Sequence, residues 1–114
     1  MRSHMKLIRA MVRPDKLDVL KDALEHESVP SITVAEVKYH GPEKRHVIVF
    51  RGSIHPAEYL EKVEIEMVVH DDDVDRVVDT IIRTARMGIP GDGHVSVINV
   101  DHRYAIHTGQ RDIC

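Results

Sequence analysis

The feature that most constrains this 114-residue chain is a strand-helix-strand pattern that occurs twice. Leu7 to Val12 is a short apolar run that reads as a strand. Pro14 and Asp15 end it and open a helix, since proline's fixed φ suits a first turn and a carboxylate is favoured at the positive end of the helix dipole. Leu17, Leu20, Ala23 and Leu24 recur at helical spacing, Pro30-Ser31 breaks the period, and Ile32 to Val37 reads as a second strand with Ile32, Val34 and Val37 inward. Then the pattern returns. Val63, Ile65, Met67 and Val69 alternate with Glu64, Glu66 and Val68 as a third strand, and Asp71-Asp72-Asp73 supplies negative charge to a helix start. Val74, Val77, Val78, Ile81, Ile82 and Ala85 make one wide apolar stripe, Arg83 and Arg86 suit its C-terminal end, and Gly88 closes it. A turn at Gly91-Asp92-Gly93 leads into a fourth strand, Val95 to Val100. Placing Met11 over Met67 brings Leu17-Asp18 within one residue of Val74-Asp75.

Two such units predict an α+β, ferredoxin-like double βαβ: a four-stranded antiparallel sheet with both helices on one face. The uncovered face is expected to carry Ile, Val and Met and to be buried in an oligomer. Residues 5–114 read as a single domain, and Met1-Arg2-Ser3-His4 as the remnant of an expression tag ahead of a natural start at Met5.

Composition narrows the function. A net charge of −3 excludes a basic nucleic-acid footprint, and no apolar run approaches the roughly 20 residues that cross a bilayer. The single cysteine, Cys114, closes no internal disulfide, which fits a reducing cytoplasm. No secretory signal, Gly-x-Ser-x-Gly or His-Glu-x-x-His occurs, and no nucleophile-base pair stands out, so the chain reads as a non-enzyme.

Two segments invite a functional reading. Gly88 to His94 holds three glycines, which permit close backbone approach to a ligand and successive N–H groups that form a phosphate nest; an ordinary helix-to-strand turn has the same composition. Lys38 to Tyr59 has no sustained period, with Val47 to Phe50 as a strand extension inside it, and is either a partner-docking loop or a solvated one. His40, His46 and His55 in that loop match no standard metal spacing.

The opening Met5-Lys6-Leu7-Ile8-Arg9-Ala10-Met11-Val12-Arg13-Pro14 resembles the first strand of the PII nitrogen-regulatory signalling proteins. Ile32 to Lys38 resembles their second strand. Arg51-Gly52, Lys62 to Glu66, Gly88-x-x-Gly91-Asp92-Gly93 and Thr108-Gly109 fall in register with them, so the resemblance runs from Met5 to Gly109. It implies a homotrimer that binds an adenine nucleotide in the clefts between subunits and regulates a protein target, a transporter, enzyme or regulator, through the long loop 38–59. On this resemblance the nucleotide is a regulatory ligand rather than an obligatory cofactor. The glycine turn Gly88 to His94 would be the phosphate-binding loop, with Gly91, Asp92, Gly93 and His94 binding the nucleotide. Thr33, Glu66 and the adjoining backbone would lie near the adenine, the tail around Ala105 to Thr108 would close the site from a neighbouring subunit, and Gly41, Met67, Arg103 and His107 would also belong to the nucleotide site, Arg103 as a substitute charge. Tyr39, His40, Glu43, Lys44, Arg45, His46, Arg51 and His55 would make up the partner loop, and Lys62 would meet an effector.

The chain departs from the family where phosphate is held. His94, Ala105 and His107 stand where typical members have a lysine and two arginines. A histidine is mostly neutral at pH 7, and a charge-assisted hydrogen bond contributes about 1.5–3 kcal/mol, so ATP loses most and ADP or AMP competes well. Glu43 replaces the glutamine that helps hold magnesium and 2-oxoglutarate, which leaves magnesium undecided, and His55 replaces a tyrosine that some members have uridylylated. These departures suggest a divergent member, in nitrogen or inorganic-carbon metabolism, including the bicarbonate-responsive, carboxysome-associated type. The alternative is a metal-binding or structural trimer of the same fold with a decayed nucleotide site.

Overall fold

A computed structural model describes residues 4–41, 47–50, 53–56 and 59–112. Its elements are β1 (Met5–Val12), α1 (Leu17–His26), β2 (Thr33–Tyr39), β3 (Val47–Phe50), β4 (Ser53–Pro56), β5 (Leu60–His70), α2 (Val74–Ala85) and β6 (Gly93–Val100). β2, β5, β1 and β6 form one sheet in that order, each neighbouring pair antiparallel, with β3 and β4 as a separate two-stranded sheet. The ferredoxin-like duplication is therefore present. Each helix is entered through a short 3-10 turn, Pro14–Lys16 and Asp71–Asp73, and the His70 ring accepts the Asp72 N–H at 3.2 Å.

One core lies between the helices and the sheet. Because strand side chains alternate, Ile8, Ala10 and Val12 of β1 and Val63, Ile65, Met67 and Val69 of β5 all point to the helix side. They meet Leu20 and Leu24 of α1 and Val77, Ile81 and Ala85 of α2. Each fully buried large aliphatic stabilises the fold by about 1.5–3 kcal/mol relative to exposure. The helices are also tied through Glu27, just past α1: Arg76 ion-pairs with its carboxylate, and the Thr80 hydroxyl donates to Glu27 at 3.2 Å.

The structure corrects several sequence expectations. Val34 is 42% exposed, because β2 is an edge strand lying beyond the cover of the helices. Ile82 is 45% exposed; the α2 stripe is narrower than its sequence, and the buried position is Thr80, satisfied by Glu27 and the Arg76 carbonyl. β6 begins at Gly93, two residues earlier than expected, since Gly93 pairs with Val12. Region 38–59 is more regular than its composition suggests. β2 continues to Tyr39 opposite Leu60, and Val47–Phe50 pairs with Ser53–Pro56 rather than extending another strand. Glu43, Lys44, Arg45, His46, Arg51 and Cys114 lie outside the described residues, and His55 is placed only by its backbone pairing with Ile48. The uncovered sheet face is not a continuous Ile/Val/Met surface either. Its centre is ionic, with Arg9 Nε 2.7 Å from Glu66 and 3.5 Å from Glu64. Leu7, Met11, Val68 and Ile98 flank that centre in the same register.

Candidate functional site

The glycine turn is held by three charged side chains. Asp92 Oδ2 accepts the backbone N–H groups of Met87 at 3.0 Å, Gly88 at 2.8 Å and Ile89 at 3.3 Å. Arg13, at the end of β1, reaches across with Nε 3.4 Å from Asp92 Oδ1 and Nη2 3.0 Å from the Pro90 carbonyl. Lys62 of β5 donates to the Gly91 carbonyl at 2.5 Å. Desolvation pushes the Asp92 carboxyl up, but the three amide hydrogen bonds and Arg13 outweigh it and hold its pKa below the usual value. The glycines are needed here: Gly91 has φ +94° and Gly93 φ +107°, and a Cβ on Gly93 would overlap the Met11 carbonyl.

This corrects the nest reading for half the turn. The successive amides of 87–89 already have an anion, and it is the protein's own Asp92. The other half is differently placed. With the Pro90 carbonyl drawn to Arg13, the trans, planar peptide turns the Gly91 N–H to the opposite side. Asp92 and the two cations thus fix the loop shape.

The remaining candidates fall into three places. Thr33 and Glu66 sit directly opposite one another on β2 and β5, on the uncovered face, with Glu66 bonded to Arg9. That hydrogen bond raises the arginine's pKa further. Met67, next along β5, points the other way into the core at 2% exposure, so its side chain cannot line a site and only its backbone remains available. At the foot of the long loop, the His40 ring meets Tyr59 edge-on at 5.7 Å, and Gly41 accommodates the Tyr39 ring. Lys62 is 5% exposed, and its ammonium lies 5.9 Å from the Tyr39 ring centroid, so it links loop foot and turn. His94 follows the turn in β6 opposite Met11.

Arg103 and His107 belong to neither place. They lie in a C-terminal hairpin closed by a Tyr104–Arg111 bridge and by hydrogen bonds from Ala105 N–H to Gln110 O (2.9 Å), Gly109 N–H to Ala105 O (2.8 Å) and Asp112 N–H to Arg103 O (2.7 Å). Arg103 borders a cavity with Met5, Val69 and His70, at the far end of the sheet from the turn. Among the described residues, no group of three or more His, Cys, Asp or Glu side chains gathers to hold a metal.

The family model described as "Nitrogen regulatory protein P-II" matches residues 5–110. The chain belongs to the P-II family. It is 45% identical over 108 residues to nitrogen regulatory protein P-II 1 of Escherichia coli K12, covering 95% of this chain and 96% of that protein. It is 42% identical over 106 residues to the P-II protein of Bradyrhizobium diazoefficiens, covering 93% and 95%. The fold matches the crystal structure of Arabidopsis thaliana PII bound to citrate with a TM-score of 0.75 at 29% identity, over 96% of this chain and 87% of that one. P-II proteins are regulators rather than enzymes, in keeping with the lack of a catalytic constellation in the sequence.

Within this P-II chain, sequence reasoning missed Arg13. It reads as the polar end of a strand, and only the antiparallel register of β1 with β6, which sets Val12 beside Gly93, brings it to the turn. Asp92, which the sequence points toward a ligand, has its carboxylate bound to the loop's own amides.

Proposed function

We propose that the protein works as a homotrimer that binds an adenine nucleotide in clefts between its copies and reports the bound state to a protein target through residues 38–59. Residues 5–114 form the working domain on this reading, with residues 1–4 a tag remnant; the start of β1 at Met5 and the family match from residue 5 support that boundary.

One observation carries the proposal. The glycine turn precedes β6 and the tail hairpin follows it, and an eight-residue strand sets them roughly 25 Å apart. Each is ordered by its own hydrogen bonds, so one chain does not bring both to one nucleotide, whereas neighbouring copies packed head to tail do. The Gly91 amide, Gly93 and His94 then face the phosphates, Arg103 and His107 approach from the next copy, and Thr33, Gly41, Glu66 and the Met67 backbone lie towards the base. Asp92 acts by holding the loop. The link to the target runs through Lys62, which touches both the Gly91 carbonyl and the neighbourhood of Tyr39. A nucleotide that favours one arrangement of the turn shifts the population of loop conformations, and the target selects among them.

With histidines at 94 and 107 and alanine at 105, the site holds fewer fixed cations than triphosphate prefers. ADP and AMP therefore compete well with ATP. The relatives' role in nitrogen regulation supports a nitrogen effector ahead of bicarbonate.

Isothermal titration calorimetry with ATP, ADP and AMP tests this, each with and without magnesium, 2-oxoglutarate and bicarbonate. The expected result is micromolar binding in which ATP has no large advantage over ADP. Absence of binding across the panel would overturn the reading and leave a structural or metal-binding trimer.

A further inference from the structure

The turn that opens α2 is capped by an imidazole rather than by a hydroxyl or a carboxylate. His70 precedes the Asp71–Asp73 turn with extended backbone, and its Nδ1 accepts the Asp72 N–H at 3.2 Å. Accepting needs a lone pair on Nδ1, so this bond exists only for a neutral ring with its proton on Nε2. A second partner stands beside the first. Asp72 Oδ2 lies 3.5 Å from the same nitrogen, and the Asp72 side chain is 88% exposed, so it can turn without unpacking anything. A proton on Nδ1 therefore removes the amide bond and makes the carboxylate bond available. A side-chain cap and an exposed ion pair contribute free energies of the same order, so the charge of the ring decides between them.

The surrounding charges leave Asp72 to the imidazole. Asp71 is bound by Lys6 of β1 at 3.0 Å, and Asp73 by Arg76 of α2 at 3.1 Å. Among the described residues, Asp72 is the aspartate of this turn with no lysine or arginine on it. His70 also lines a cavity of about 310 Å³ where Glu27 adds negative charge and Arg76 and Arg103 add positive charge. The His4 ring stacks on His70 with centroids 6.3 Å apart, and a charged His4 would oppose a second charge there. We infer that His70 is a proton-operated latch on the entry to α2: neutral, it caps the turn through the Asp72 amide; protonated, it releases that amide and binds the Asp72 carboxylate. Histidine is the side chain that changes charge between roughly pH 5 and 8. The latch sits in the connection from β5 to α2, and the glycine turn follows the other end of α2, so its state is read without altering the proposed nucleotide residues.

NMR on the full chain between about pH 8 and about pH 5 tests this, following the His70 ring nitrogens and the Asp72 amide. At the upper end Nδ1 should carry no proton. As the ring takes one up, the Asp72 amide signal should move with the same midpoint, and its protection against hydrogen exchange should fall about fivefold. His70→Asn supplies an oxygen that accepts the same bond and does not titrate, so Asp72 should stay protected across the range. His70→Ala should leave Asp72 poorly protected at both ends. His4→Ala should keep the wild-type response, and its loss there would overturn the assignment to His70. A His70 ring that carries its proton on Nδ1 at the upper end, that stays neutral throughout, or that protonates while Asp72 remains equally protected would overturn the inference.

Discussion

The two halves of the duplication differ most where each helix returns to the sheet. After α1, the chain passes Glu27, and that carboxylate is bound by Arg76 and Thr80 of the other helix. After α2, the chain passes the glycine turn, bound by Asp92 from within and by Arg13 and Lys62 from the strands. Both carboxylates are held below their ordinary pKa: Glu27 first by the Arg76 hydrogen bond, Asp92 by three backbone amides and Arg13 against an opposing desolvation. The difference lies in what each organises. Glu27 joins two helices over the core and so concerns stability. Asp92 shapes a short loop at the edge of the sheet, where a local rearrangement leaves the core untouched. Duplication supplies the frame, and on the proposed reading function resides in one of the two connections.

If the halves are equivalent as scaffold, Leu20→Ala in α1 and Ile81→Ala in α2 should each cost about 2–5 kcal/mol, because both side chains are essentially fully buried. Urea unfolding at one fixed protein concentration measures this, and a large inequality would show that the halves do not share one core. A smaller and more local effect separates two glycines. Gly88→Ala meets no neighbouring atom and should cost about 1–2 kcal/mol for its left-handed φ. Gly93→Ala adds the overlap with the Met11 carbonyl and should lower thermal stability clearly more.

Next comes the functional contrast. Asp92→Asn should weaken ADP binding about tenfold while leaving the midpoint of thermal unfolding nearly unchanged, and Glu27→Gln should do the reverse. Calorimetry beside thermal melts decides between them. The subtlest effect is in acid. Asp92 has a folded-state pKa below its unfolded value, so its contribution is present above the ordinary carboxylate range and is lost as pH falls through the depressed value. The NMR amide signals of Met87, Gly88 and Ile89 should move together in that acid window, and Asp92→Asn should abolish the movement.

Much of the frame was legible because it depends on alternation. Val63, Ile65, Met67 and Val69 announce β5, and the offset of Met11 to Met67 announces the duplication. Exposure at an edge was not legible: Val34 has the sequence of an inward residue, and only the strand order places it beyond the helices. Nor could spacing tell which anion fills a nest. Three glycines report that the backbone of 88–93 can turn, whereas the carboxylate occupying its amides is fixed by the loop's own geometry. Arg13 was hidden for a related reason, since its partners at Pro90 and Asp92 are far away in sequence and become neighbours only through the β1–β6 register.

The central claim is that one nucleotide site is built from the turn of one copy and the tail of the next. Subunit mixing tests it most directly. Asp92→Ala breaks the turn and His107→Glu sets an acid against phosphate in the tail; each variant alone should bind ADP poorly. After the two are mixed in equal amounts and allowed to exchange, about a quarter of the clefts should pair an intact turn with an intact tail and recover binding. Recovery near that fraction is the predicted result. A mixture that binds no better than its two components would contradict the shared site.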